Sequence, residues 1–244
     1  MVSINDWILM KYLVVLPTYK EFDNLQILIP QLMALDSCLH VLIVDDNSKD
    51  GTENFIYSQK ENYGERLNLI VRSFDRSYAK SLLVGLKLGY KEKFDFVIQM
   101  DSDGSHSPRD IPKLISCEGD LVIGSRYFKN STVLNVPVFR QLYSILGNIY
   151  ISILWKTSIR DKTNGFRLFR KKSLELISNL NVVNEGFAVQ IEVLNVLRKS
   201  KKIEIREVPV EFIFRKVGTS KFDFKKLIEA LKFVSISFVK GRDG

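Results

Sequence analysis

Cysteine is nearly absent from this sequence: Cys38 and Cys117 are the only two in 244 residues, and they lie far apart. That excludes a disulfide scaffold and a zinc ribbon, and it fits a reducing compartment. Long apolar runs are missing as well. The membrane-like charge-free stretch of the second half, Gln141–Trp155, has fifteen residues and includes Ser144, Asn148 and Ser152. A spanning helix needs about 20 predominantly apolar residues, so none is expected. No secretory leader is expected either, because the first eleven residues are mixed and carry Asp6. Internal repeats and low-complexity linkers are absent, and neither a Rossmann nor a P-loop glycine pattern follows any strand.

What is present is an ordinary globular composition, 45% hydrophobic and 26% charged, long enough for one large core. The net charge of +8 is unevenly spread. From Arg198 to Gly244 thirteen Lys/Arg face six Asp/Glu, whereas the first 197 residues carry twenty-three against twenty-two. A basic end segment points to an anionic partner or to a solvated helix face. Nucleic acid fits poorly, since no binding motif accompanies the charge and aromatics do not interleave it.

The first 125 residues alternate short apolar strands with helices. Strands are expected at Tyr12–Leu16, Val41–Val44, Leu67–Val71, Phe94–Met100 and Asp120–Ile123, and helices at Asp23–Leu35 and Ser77–Tyr90. Asp50 or Thr52 is the expected cap of a helix between the second and third strands, and Pro108 can start another. This pattern gives an α/β fold with a mostly parallel sheet covered on both faces. Downstream, Asn135–Trp155 reads as a long apolar helix with one charge, Arg140. Thr163–Phe169 and Ile203–Phe214 read as strands, and Glu185–Lys199 as an amphipathic helix. A basic helix over 222–244, with Phe224, Leu227, Leu231 and Phe238 on one stripe, follows a catalytic domain over 1–221. It suits either packing on the sheet or lying in a membrane interface.

Ligands of such sheets bind beyond the carboxyl ends of the strands, and the acidic pairs sit there. Asp45-Asp46 follows the second strand. Asp101-Ser102-Asp103 follows the fourth, where two carboxylates one residue apart can reach one hard cation. His106 is nearby, with either a structural or a ligand role.

Four motifs in this order, Pro17-Thr18-Tyr19-Lys20-Glu21, Asp45-Asp46-Asn47-Ser48-Lys49-Asp50-Gly51-Thr52, Met100-Asp101-Ser102-Asp103 and Gly124-Ser125-Arg126-Tyr127, resemble family 2 glycosyltransferases of the GT-A fold. Phe139-Arg140 with Ser144, Asp161 with Gly165-Phe166, and Arg215 with Gly218 and Ser220-Lys221 narrow the resemblance. These are similar to motifs of the dolichol-phosphate mannosyltransferases and related polyprenyl-phosphate hexosyltransferases. The resemblance runs from Tyr12 to about Lys221. It implies an inverting, Mg²⁺- or Mn²⁺-dependent transfer of mannose from GDP-mannose to dolichyl (polyprenyl) phosphate, on the cytoplasmic face of a membrane as a peripheral protein. A UDP-sugar donor or an inactive nucleotide-sugar-binding module are the alternatives.

Carried over by position, Pro17, Tyr19, Glu21, Asp45 and Asp46 would hold the nucleoside. Asp101, Ser102 and Asp103 would bind the diphosphate, with Lys221 near it. Asp101 and Asp103 would ligate the metal. Arg126, Arg140, Ser144 and Arg215 would surround the acceptor phosphate, and Asp101, Asp103, Arg126 and Arg215 would form the catalytic set. The sequence departs from the family in two places. Ser105 stands where the family often has a metal-ligating Gln, leaving that contact to the shorter Ser105 or to water. Arg76-Ser77-Tyr78-Ala79-Lys80-Ser81 replaces a glycine-rich stretch. Many relatives also carry transmembrane helices after the catalytic domain.

Overall fold

Each apolar run of the first 125 residues becomes a strand. The computed structural model describes residues 10–183, 186, 188–214 and 232–236. In chain order the elements begin with β1 (Tyr12–Thr18), α1 (Phe22–Met33), β2 (Leu39–Asp45), α2 (Thr52–Tyr63), β3 (Leu67–Val71), α3 (Tyr78–Lys91) and β4 (Phe96–Gln99). They continue with α4 (Ile111–Ser116), β5 (Leu121–Ser125), β6 (Thr132–Leu134), α5 (Val138–Trp155) and β7 (Arg167–Arg170). Last come α6 (Lys171–Ile177), α7 (Ala188–Lys199), β8 (Ile205–Pro209) and β9 (Glu211–Ile213).

Seven strands form one sheet in the order β3-β2-β1-β4-β7-β5-β8. All neighbours are parallel except β7, which runs antiparallel between β4 and β5. The α/β, mostly parallel GT-A-like architecture expected from the sequence is what the chain adopts. β6 and β9 pair as a separate parallel ribbon.

Alternation along β1 fills both faces of the sheet. Val14 and Leu16 pack with Leu25, Ile29, Ile56, Ile111 and Leu114 on one side. Leu13 and Val15 pack with Leu82, Leu86, Ile151, Ile191 and Leu194 on the other. α3 lies very close to the sheet. A Cβ added at Gly85 would fall 2.2 Å from Val15 Cγ1, and one at Gly89 would fall 2.3 Å from Val97 Cγ2. Only glycine permits that approach.

Several expectations are corrected. α2 is led by Gly51, at φ 101°, while Asp50 accepts from the Thr52 amide at 3.1 Å. Asp50 therefore braces the turn one residue earlier, and Thr52 is already helical. The expected strand Thr163–Phe169 starts only at Arg167, because the Asp161 carboxylate gathers the amides of Thr163 and Asn164 into a turn. Ile203–Phe214 divides into β8 and β9, which belong to different sheets. Pro209 ends β8, since proline lacks the amide donor a ladder needs.

α5 buries Asn148, Ile151 and Trp155. Its opposite side exposes an apolar stripe that includes Val138, Leu142, Leu146, Ile149 and Ile153. No described helix is long and apolar enough to cross a membrane. Of the expected helix over 222–244, residues 232–236 are described and helical. Val234 is buried in the core, and Ser235 and Tyr150 share a hydroxyl hydrogen bond of 2.7 Å. The remainder of that expectation lies outside the described residues.

Candidate active site

Three loops meet beyond the carboxyl ends of β1, β2 and β4, and short polar bonds knit them together. The Asp46 amide donates to Thr18 O at 2.9 Å. The Lys20 amide donates to Ser48 Oγ at 2.8 Å, and Ser102 Oγ donates to Pro17 O at 3.0 Å. Between the loops lies a cleft of about 580 Å³, bordered by Pro17, Tyr19, Glu21, Asp46, Asp101, Ser102 and Asp103. That volume suits a ligand larger than a monosaccharide.

The two acidic residues after β2 part company. Asp46 faces the cleft and is anchored there. Its Oδ1 pairs with Arg72 and accepts from Ser81 Oγ, while its Oδ2 accepts from the Ser77 amide at 2.9 Å. Asp45 borders a separate cavity of about 250 Å³ with Asn47 and Lys49. It accepts from both the amide and the hydroxyl of Ser48. Burial raises its carboxyl above the ordinary range, although the Ser48 bonds pull the other way.

Asp101 and Asp103 both border the cleft. Asp101 Oδ1 accepts from Tyr78 Oη at 2.7 Å. Burial, and after it the Asp101 charge, hold the Tyr78 phenol well above its ordinary value, so it stays a donor. Asp103 accepts from the Ser105 amide at 3.0 Å, and Ser105 O accepts from the Ile213 amide. Ser105 is buried, tying the acidic turn to β9. The described residues contain no group of three or more His, Cys, Asp or Glu placed to hold a metal. Asp101 and Asp103 are a hard donor pair that could hold Mg²⁺ or Mn²⁺, with substrate phosphates and water in the remaining positions.

His106 is a structural link. Its Nδ1 accepts from the Asp101 amide at 3.2 Å, which places the ring proton on Nε2, 2.9 Å from Asn164 Oδ1. The ring stacks on Phe166 at 5.1 Å. Asn164 in turn donates to Gly124 O. The 101–105 loop and the 161–165 loop are therefore connected through one imidazole.

The expected acceptor residues lie beyond this link. Arg126 forms a bidentate pair with Asp161, Nε to Oδ2 at 2.7 Å and Nη2 to Oδ1 at 2.8 Å, and Nη2 also reaches Thr163 Oγ1. Burial opposes its charge, but the adjacent Asp161 outweighs burial and raises the guanidinium above its ordinary range. Tyr127 Oη donates to Ser144 Oγ at 2.7 Å, which brings the start of α5 to the end of β5. Arg140 lies over the Phe214 ring at 5.0 Å, next in sequence to Arg215. Arg215 and Lys221 lie outside the described residues.

Other residues in and behind the cleft carried no assigned role in the sequence. Arg76 lies over the Tyr19 ring at 4.3 Å. Tyr78, Gly165 and Gln190 complete the wall beneath Asp101. Arg167 is fully buried and donates to three carbonyls, of Lys162, Asn164 and Gln190, at 2.7–2.9 Å. Burial lowers its guanidinium to about 10. The signal for Arg76 and Tyr78 was there, in the stretch where the resemblance expects glycine. Arg167 had none, because a basic residue in a strand gives no local sign of what it will bind.

Residues 13–177 match glycosyl transferase family 2. A polyprenol monophosphomannose synthase of Mycolicibacterium smegmatis is 31% identical over 94% of this chain and 88% of its own length. An undecaprenyl-phosphate mannosyltransferase of Micrococcus luteus is 30% identical, covering 87% of each. Among solved structures, glucosyl-3-phosphoglycerate synthase of Mycobacterium tuberculosis, in complex with Mn²⁺, UDP and phosphoglyceric acid, superposes with a TM-score of 0.67. That match is 16% identical and covers 98% of this chain and 82% of the other, a likeness of fold. With more than half of the chain inside the family match and the acidic pair at the expected strand end, the chain belongs to glycosyl transferase family 2.

Proposed function

We propose that the protein transfers mannose from GDP-mannose to a polyprenyl (dolichyl) phosphate with inversion at the anomeric carbon. The observation that carries this reading is the pairing of Asp101 and Asp103 in a single cleft, in a chain whose relatives bear polyprenyl-phosphate mannosyltransferase names. Mg²⁺ or Mn²⁺ held by those two carboxylates would offset charge on the leaving diphosphate. Tyr19, Arg76 and Asp46 form the wall suited to the nucleoside. The nucleophile is an acceptor phosphate oxygen, anionic near neutral pH because the second pKa of such groups is about 6. Its lone pair forms the new C1–O bond as the bond to the diphosphate breaks, and that electron pair leaves with GDP. No general base is needed. The residues instead hold two anions together, and Arg140, four residues before Ser144 on α5, would receive the acceptor phosphate.

The test is transfer of radiolabelled sugar to a short-chain polyprenyl phosphate, with GDP-mannose and UDP-glucose in parallel and with Mg²⁺, Mn²⁺ or EDTA. Metal-dependent lipid label from GDP-mannose is the expected result. Label from UDP-glucose alone would change the donor, and absence of label from both would remove the reaction.

The same reading places the protein peripherally on the cytoplasmic face of a membrane, where the acceptor's hydrocarbon tail lies. Its support is the apolar stripe of α5, where Leu142 is 54% and Leu146 52% exposed. Contiguous exposed apolar surface of this kind marks interaction sites. In flotation with anionic liposomes, Leu142→Glu with Leu146→Glu should reduce the bound fraction about tenfold, since each charge opposes burial in the interface. Undiminished binding would detach α5 from the membrane.

A further inference from the structure

We propose that Tyr78 is a positioning residue for Asp101, fixing the orientation in which its carboxylate would hold the cation. This rests on the reading of Asp101 as a metal-binding residue. A phenol hydroxyl has one proton to give and two lone pairs to fill. At Tyr78 both lone pairs face amide donors: Gln99 Nε2 at 3.1 Å and Gln190 Nε2 at 3.2 Å. The single proton is thereby directed to Asp101 Oδ1 at 2.7 Å. The three side chains come from rigid points of the fold, the first residue of α3, the last of β4 and the first turn of α7. The hydroxyl therefore has little freedom to turn, and neither has the carboxylate it holds.

Two further observations set this hub apart from ordinary packing. Gln99 Oε1 and Gln190 Oε1 are both buried without a hydrogen-bond partner among the described residues. Buried polar groups are normally satisfied, so the two amides serve Tyr78 at the expense of their own oxygens. Above the hub, Gly165 packs so closely that a side chain there would press on it. A Cβ there would lie 3.2 Å from each of Asp101 Oδ1, Gln99 Nε2 and Tyr78 Oη. The 161–165 loop thus packs directly over the hub. Asp101 Oδ2 lies 4.0 Å from His106 Nε2, and the Asp101 side chain is 31% exposed.

Partners that orient a ligating group are each worth about 10–100-fold in metal affinity. The test is titration of Mn²⁺ into the full chain at saturating GDP, and again at saturating UDP. Free Mn²⁺ is read from its six-line electron paramagnetic resonance signal, alongside circular dichroism. Tyr78→Phe should weaken Mn²⁺ binding about tenfold with an unchanged dichroism spectrum, and Asp101→Asn should weaken it further. In turnover, Tyr78→Phe should raise the Mn²⁺ concentration for half-maximal rate while leaving kcat at saturating metal within about threefold, a split that mere loosening of the fold does not produce. Wild-type Mn²⁺ affinity in Tyr78→Phe, with binding lost in Asp101→Asn, overturns the role of Tyr78 and leaves the metal site standing. Wild-type affinity in Asp101→Asn overturns the metal site and this inference with it. If Tyr78→Phe does not fold, Gln190→Met takes its place. It frees one lone pair and should weaken Mn²⁺ binding about threefold, and unchanged affinity there overturns the proposal.

Discussion

Asp103→Ala should lower the rate of sugar transfer by on the order of 10³-fold while leaving the melting temperature within a few degrees of wild type. The two halves of this expectation have different causes. Asp103 lies on an exposed-edge turn and is only partly buried, and the bond it accepts from the Ser105 amide spans two residues. Its loss is therefore felt first within its own turn. In the proposed reaction, however, the carboxylate would hold the cation together with Asp101, and a factor of 10³ corresponds to about 4 kcal/mol of barrier. Asp101 is the poorer probe, because its removal also takes the acceptor from Tyr78. The check is initial-rate transfer to polyprenyl phosphate at saturating metal, with thermal melting of the same preparation. A loss smaller than tenfold would remove Asp103 from the metal site.

The parts of this molecule legible in the sequence are those encoded by short-range pattern. An apolar run followed at once by Asp101-Ser102-Asp103 declares a strand and the functional end of that strand within eight residues. The same holds for Pro17–Glu21 and for Asp45-Asp46, although nothing local shows that only Asp46 turns into the cleft. What was not legible depends on residues brought together across long separations. β7 enters the sheet between β4 and β5 in the opposite direction, which no periodicity announces. β6 is three residues long and exists only because β9 pairs with it. Arg126 shows the same limit in chemistry. Its residue type beside Gly124-Ser125 suggests a phosphate clamp, yet two of its guanidinium nitrogens are engaged by a carboxylate 35 positions away. Tyr78 reads locally as a departure from glycine, and its role emerges only where α3, β4 and α7 converge.

That long-range pair gives the largest expected effect on stability. Asp161 has no exposed side-chain surface, and the Arg126 side chain is 15% exposed. Removing one member of such a pair leaves the other buried without its countercharge, at a cost of about 3–5 kcal/mol. Asp161→Ala should therefore lose about that much in urea unfolding, and Arg126→Leu a comparable amount. The double variant should lose clearly less than the two together, because it strands no charge. Additive losses would mean that the pair does not act as a unit. The pH dependence follows with a definite sign. Burial alone would raise the Asp161 carboxyl, but Arg126 outweighs it and holds the group below its ordinary 3.8. The unfolded chain then binds the proton more readily than the native state. The stabilisation is complete above about pH 4 and drains away as the pH falls through the folded value. Asp161→Asn should flatten that acid limb, because the group that takes up the proton is gone. A wild-type acid limb in that variant would assign the loss to other carboxylates. Arg126 meets the loop that carries Gly165 through Asp161 and Thr163. The charge pair that stabilises the fold therefore also holds the loop that closes over Tyr78 and Asp101. The singly substituted proteins should accordingly need more Mn²⁺ for half-maximal transfer even at temperatures where they remain folded.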